Sequence, residues 1–158
     1  MGERWYDMER KIEINLRKII LLLLITLIFI SEGQASQSVV SIGDVSVESG
    51  NDVIATIMIN DITDYGTATI EVTYDPAVAV VTTVESTSDS TIIVANPDNT
   101  AGSVIISAWN ITGVSGDVEF AGIKFNAVGS SGSSTPLTLE VNSLLDTSYN
   151  YISSTADD

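Results

Sequence analysis

From residue 67 the side chains alternate strictly. Ala68, Ile70, Val72 and Tyr74 are apolar, and Thr67, Thr69, Glu71 and Thr73 between them are polar. A period of two predicts a strand with one face buried and the other in water. Asp75-Pro76 ends it, because proline brings no N–H to a ladder and fixes φ for a turn. Apolar positions then resume at Val78, Val80, Val81 and Val84. The same grammar runs from residue 38 almost to the end. Segments rich in Val, Ile and Thr fall at 38–42, 52–59, 67–74, 79–85, 91–95, 103–109, 117–127, 135–141 and 149–153. Gly, Asn, Asp and Ser punctuate them at 49–52, 96–99, 113–116 and 129–134. No stretch of helical length in this region carries a 3.6-residue apolar stripe. The pattern predicts an all-β sandwich of about nine strands. In the 117–127 segment the apolar parity switches between Val118/Phe120 and Ile123/Phe125/Ala127, with Ala121-Gly122 at the switch. That predicts a β-bulge, which lets both sets face one core.

The first 35 residues follow a different pattern. Residues 19–30 are apolar except for Thr26, too few to span a bilayer as a helix. Lys11, Arg17 and Lys18 precede the run, and Gly33-Gln34-Ala35 follows it with small residues at alternate positions. Basic start, short apolar helix and small-x-small exit describe a secretory signal peptide at 1–35, cleaved after Ala35, with translation starting at Met1 or Met8. The competing reading is an uncleaved membrane anchor. A pilin-type leader fits poorly, because Ile19 rather than a glycine or alanine follows Lys18. The domain is then 36–158, exported to the cell surface or beyond.

Charge sharpens this picture. The 158-residue chain carries six Lys and Arg, and five of them lie before residue 19. Beyond residue 36 the only cation is Lys124, against sixteen Asp and Glu. Such a surface repels nucleic acid and anionic lipid, so any membrane contact falls to the leader. Lys124 itself is expected to pair with a neighbouring acid. The chain has no Cys and no His. That inventory excludes disulfides, thiol nucleophiles, ordinary zinc sites and a Ser-His-Asp triad. An enzyme would have to work with carboxylates alone, and no local pattern marks a carboxylate pair. The expectation is a non-enzyme without a resident cofactor.

Three local features are candidates for chemistry. Asn110-Ile111-Thr112 is an Asn-x-Thr sequon after a strand, so Asn110 is a candidate glycosylation site on an exported chain. Asn60-Asp61-Ile62-Thr63-Asp64-Tyr65-Gly66 offers oxygen ligands that calcium accepts, chiefly Asp61 and Asp64. Its spacing is not that of an EF-hand, and an Asx-turn explains the same residues. Trp109, Tyr65, Tyr149 and Tyr151 are the aromatics expected near the surface. Trp109 and Tyr65 are the candidates for a carbohydrate platform, since flat apolar ring faces cover a pyranose. Against that reading stands a Trp109 ring closing one end of the core.

The order of segments resembles a cohesin domain, over roughly residues 39–158. The resemblance rests on Ile42-Gly43-Asp44-Val45-Ser46-Val47-Glu48-Ser49-Gly50, on Val72-Thr73-Tyr74-Asp75-Pro76-Ala77-Val78 and on Val104-Ile105-Ile106-Ser107-Ala108. It continues through Phe120-Ala121-Gly122-Ile123-Lys124-Phe125-Asn126-Ala127-Val128-Gly129 and Ser134-Thr135-Pro136-Leu137-Thr138-Leu139-Glu140-Val141. It implies an immunoglobulin-like or jelly-roll sandwich, related to certain carbohydrate-binding modules. By function it implies a scaffold module that docks a dockerin-like protein. Where the family carries Asn and Asp against the dockerin, this chain carries Thr67 and Thr69. Hydroxyls remain, but the charged contact is gone. The implied partner-binding face holds Thr67, Thr69 and Glu71. The alternatives are binding of polysaccharide, in the service of its breakdown, and a structural role in a surface layer or filament. The family closes with a strand beside the first one. With 149–153 assigned to the preceding position, that neighbour is expected from residues beyond 158.

Overall fold

The structure, a computed structural model, describes residues 37–157. The leader and its cleavage site after Ala35 lie outside the described residues. Seven strands follow in chain order. They are β1 (Ser38–Ile42), β2 (Asp52–Thr73), β3 (Ala79–Glu85), β4 (Thr91–Asp98), β5 (Ser103–Ala127), β6 (Thr138–Asp146) and β7 (Ser154–Asp157).

Two of these strands serve in both layers. Residues 52–59 of β2 lie between β1 and residues 118–126 of β5, with β3 outside β5 and β7 outside β1. Residues 67–73 of β2 lie between β6 and residues 103–109 of β5, with β4 outside β5. With β2 and β5 counted in each layer, seven strands give nine segments, eight of which fall on predicted ones, while the ninth, β7, lies past the predicted 149–153. The gaps expected near 60–66 and 110–116 are bends in continuous strands. Asp61 and Asp64 take left-handed φ values of 55° and 57°, and Gly113 and Gly116 do the same opposite them. Asp is among the few non-glycine residues that tolerate this region. The punctuation in the sequence is genuine, but it turns a corner instead of ending a ladder.

The core follows the alternation. Ala55, Ile57 and Ile59 in one half of β2 and Ala68, Ile70 and Val72 in the other are all buried, facing Val104, Ile106, Val118 and Ile123 from β5. Burying one of these Ile or Val side chains contributes about 1.5–3 kcal/mol. The predicted bulge is present. The β2–β5 register shifts between Ile57, opposite Ala121, and Met58, opposite Glu119. Phe120 is the extra residue, and Phe120, Ala121, Ile123 and Phe125 are all buried.

The Tyr-Asp-Pro corner is tied from several sides. The Tyr74 N–H donates to the Gly102 carbonyl at 2.8 Å, and its hydroxyl donates to Asn99 Oδ1 at 2.6 Å. That Asn99 amide also bridges both backbone groups of Val81. The Tyr74 ring packs edge-on against Phe125, with centroids 5.3 Å apart.

The end of the chain departs from expectation. The closing strand is β7, and it pairs β1 in parallel with Ser38 opposite Ser154 and Ser41 opposite Asp157. The neighbour of β1 is therefore supplied before residue 158. Residues 149–153 form a tight return: the Asp146 N–H donates to the Asn150 carbonyl at 3.0 Å and the Ile152 N–H to the Leu144 carbonyl at 2.9 Å, on either side of an isolated bridge between Leu145 and Tyr151. β6 runs further than the predicted 135–141. Its apolar parity passes from Leu139 and Val141 to Leu144 across a register shift opposite Thr69 and Ile70. That shift hid the second half of β6 from a period-two reading.

Candidate docking face

The outer face of the layer β4–β5–β2–β6 carries all three predicted partner-binding residues, Thr67, Thr69 and Glu71. Register places them in rows across the four strands. Thr91, Trp109, Thr67 and Leu145 form one row, and Val94, Ser107, Thr69 and Ser143 the next. Asn96, Ile105, Glu71 and Glu140 form the third. Thr67, Thr69 and Glu71 point outward as expected. They are half-buried rather than open, because β5 and β6 flank them on either side. Thr69 Oγ1 and Ser107 Oγ lie 2.9 Å apart, and Thr67 Oγ1 donates to the Ala108 carbonyl at 2.9 Å.

Large apolar side chains stand among these hydroxyls. Ile93 is 55 % exposed, Val94 53 %, Trp109 46 % and Ile105 37 %. Trp109 lies on this outer face and does not close the core. Ile93 and Val94 are adjacent in sequence, yet both face outward. The β4–β5 register shifts between Ile92 and Val94, and this bulge turns Ile93 out beside Val94. The run Ile92-Ile93-Val94 reads as a buried strand in the sequence, so both residues escaped notice. Glu140 and Ser107 were also missed, since only strand pairing places them beside Glu71 and Thr69.

The other candidates are redistributed. Tyr65 is fully buried and leaves the carbohydrate platform. Its ring meets Phe120 edge-on at 6.3 Å, and its hydroxyl lies 2.8 Å from the Ser90 hydroxyl, which is itself buried. Burial pushes the Tyr65 phenol up to about 12. Tyr149 and Tyr151 are exposed as expected. Asp61 and Asp64 form the β2 corner. The Asp64 carboxylate accepts from Thr147 Oγ1 at 2.7 Å, and the Asp61 and Asp64 N–H groups donate to Asp117 and Ser115. Among the described residues no group of three or more acidic side chains is placed to hold a metal ion. Asn110 ties the bend of β5 to the β3–β4 loop. Its Nδ2 donates to the Asp89 carbonyl at 2.8 Å, and its Oδ1 accepts from both donors of Thr112. Lys124 pairs with Asp52 at 3.1 Å on the opposite layer. The Asp52 carboxyl is held below its usual range by the Asn126 amide and by Lys124.

No protein-family model matches the sequence, and a search of curated proteins finds no match. Solved structures do match. A non-cellulosomal cohesin from the archaeon Archaeoglobus fulgidus shares 19 % identity at a TM-score of 0.66, over 77 % of this chain and 86 % of that one. The sixth cohesin of Acetivibrio cellulolyticus scaffoldin B, solved with a Cel5 dockerin, shares 20 % at 0.67, over 77 % and 95 %. The cohesin of a type I cohesin–dockerin complex from Clostridium thermocellum shares 13 % at 0.64, over 77 % and 94 %. The fold is that of the cohesin domains.

Proposed function

We propose that this chain, a β-sandwich with the cohesin fold, is a non-catalytic docking module, and that it binds a protein partner of dockerin type on the β4–β5–β2–β6 face. The observation that carries the reading is the make-up of that face. Four large apolar side chains, Ile93 and Val94 on β4 and Ile105 and Trp109 on β5, stand in water beside the hydroxyls of Ser107, Thr67, Thr69 and Ser143 on the same face. Exposed apolar groups gathered on one face mark a surface awaiting a partner. Similar domains solved with dockerins bound support the same reading. The leader supports export, which brings the module to the cell surface or the medium.

The chemistry of the face suits association. Hydroxyl pairs such as Thr69 and Ser107 offer donors and acceptors without the desolvation penalty of a buried charge. Trp109 and Ile105 supply the area that dominates binding energy. The test is capture of secreted proteins of the source organism on the immobilised protein. Thr69→Arg places a long cation in the middle of the face, and Ile54→Arg places one on the opposite layer. Loss of a specific partner with Thr69→Arg alone is expected. Equal capture by both variants would reject the face.

A further inference from the structure

At the end of this face nearest the β6–β7 return, Ile93, Trp109, Ile111 and Tyr149 line a cleft of about 340 Å³, together with Thr67 and Asp146. Its aromatic wall is held in place by unusual backbone. Tyr149 takes a φ of 64°, a left-handed conformation that is strained for a non-glycine residue. Asp146 pins it there. One carboxylate oxygen accepts the N–H groups of Ser148 and Asn150, the other accepts the Asn150 amide, and the Asp146 carbonyl accepts the Tyr149 N–H. A strained and well-tied turn that presents a 77 % exposed ring beside Trp109 is a preorganised surface.

The polar groups around this cleft are already engaged. Thr67 donates to Ala108, Asn110 is committed to Asp89 and Thr112, and Thr147 donates to Asp64. A sugar seeks placed polar groups at its ring edges. A bulky apolar side chain needs only space and ring faces, which are what the cleft offers.

The other end of the face has the opposite character. Glu71 and Glu140 lie directly across β2–β6 from each other, four residues along the strands from the Thr67–Trp109 row, about 13 Å away. Like charges in register destabilise a strand pair. The one ion pair among the described residues, Lys124 with Asp52, is on the other layer. A cation from outside relieves the repulsion. A second copy of this chain brings only Lys124 beyond residue 36 and the same acidic surface. The complementary occupant is a different, cationic protein.

We propose, on the reading that this face docks a protein, that the Trp109–Tyr149 cleft is an anchor pocket for one bulky apolar side chain of the partner. A Lys or Arg of that partner, about 13 Å away, sits at Glu71 and Glu140, and the two unlike ends fix a single docking orientation. On a partner helix that spacing is about eight to nine residues.

Amide and indole NMR of the 15N-labelled protein tests this, with N-acetyl-leucinamide, N-acetyl-argininamide and cellobiose as probes. The leucine probe is expected to shift the Trp109 indole and the Tyr149 amide with a saturating curve. The arginine probe is expected to shift Glu71 and Glu140. Trp109→Ala should weaken the first response at least tenfold and leave the second intact. Glu71→Gln with Glu140→Gln should do the reverse. Cleft shifts from cellobiose alone, or from no probe, overturn the anchor pocket. If capture is still lost with Thr69→Arg in that case, docking itself stands. Indifference of capture to Thr69→Arg removes the docking reading and this proposal with it.

Discussion

Tyr65 and Ser90 make a hydrogen bond in the core whose worth can be worked out in advance. Both residues are buried, and their hydroxyl oxygens are 2.8 Å apart. Tyr65→Phe keeps the ring and its edge-on contact with Phe120, but leaves the Ser90 hydroxyl without its partner. Stranding a buried hydroxyl costs about 1–3 kcal/mol. Ser90→Ala strands the Tyr65 hydroxyl at a similar cost. Removing both strands nothing, so the double variant is expected within about 1 kcal/mol of the wild type. Urea denaturation at pH 7 measures all four members of the cycle. Alkaline pH gives a second readout. The Tyr65 phenol is raised from 10.0 to about 12, so its stabilisation is full below pH 10 and is lost as pH rises towards 12. Two units correspond to about 3 kcal/mol. Tyr65→Phe should remove that part of the alkaline decline. Additive single variants, or the same decline in Tyr65→Phe, would refute the reasoning.

Other expectations are briefer. Ile70→Ala should cost about 2–5 kcal/mol through lost burial and a cavity, while the outward Thr69→Ala costs far less, both read by urea denaturation. Gly66→Ala should destabilise strongly, because its Cβ would meet the Asp146 carbonyl carbon at 2.5 Å, and the Tyr149 amide signal should move with it. The carboxyls of Asp146, Asp52 and Asp98 lie below their usual range, held chiefly by the Asn150 amide, the Asn126 amide and the Ala101 N–H respectively. Depressed carboxyls stabilise above the unfolded value of about 3.9 and lose that contribution as pH falls through their folded values. Thermal melts should therefore decline below about pH 4, and Asp146→Asn should flatten part of that decline.

Much of the fold was legible because burial leaves a period in the sequence. Ile70 and Val72 alternate with Thr69 and Glu71, and the structure buries the first pair. The parity switch at Ala121-Gly122 gave away the bulge around Phe120. What stayed hidden is what depends on partners far along the chain. Asp61, Asp64, Gly113 and Gly116 carry turn chemistry, and only the pairing of β2 with β5 shows that the strands bend there and continue. Tyr65 sits in a polar, turn-like stretch, so its burial against Phe120 left no local mark. The closing strand was displaced for the same reason, since Asp146 gathers residues 148–150 into a return that local pattern reads as part of a strand. On the candidate docking face, parity puts Thr67, Thr69 and Glu71 on the outer side of the strand, and the resemblance to cohesins singles them out there. Ile93, Val94, Ile105 and Glu140 needed the cross-strand register.

The docking face is tested most directly by hydroxyl-radical footprinting of the protein with and without its captured partner. Exposed side chains on every surface report at once, including Trp109, Ile105, Val94 and Ile93 on the face, and Ile54 and Val128 elsewhere. Partner binding is expected to protect Trp109, Ile105, Val94 and Ile93 severalfold while Ile54 and Val128 oxidise as before. Protection of Ile54 or Val128 with Trp109 unchanged would place the partner on the opposite side and contradict the proposed function.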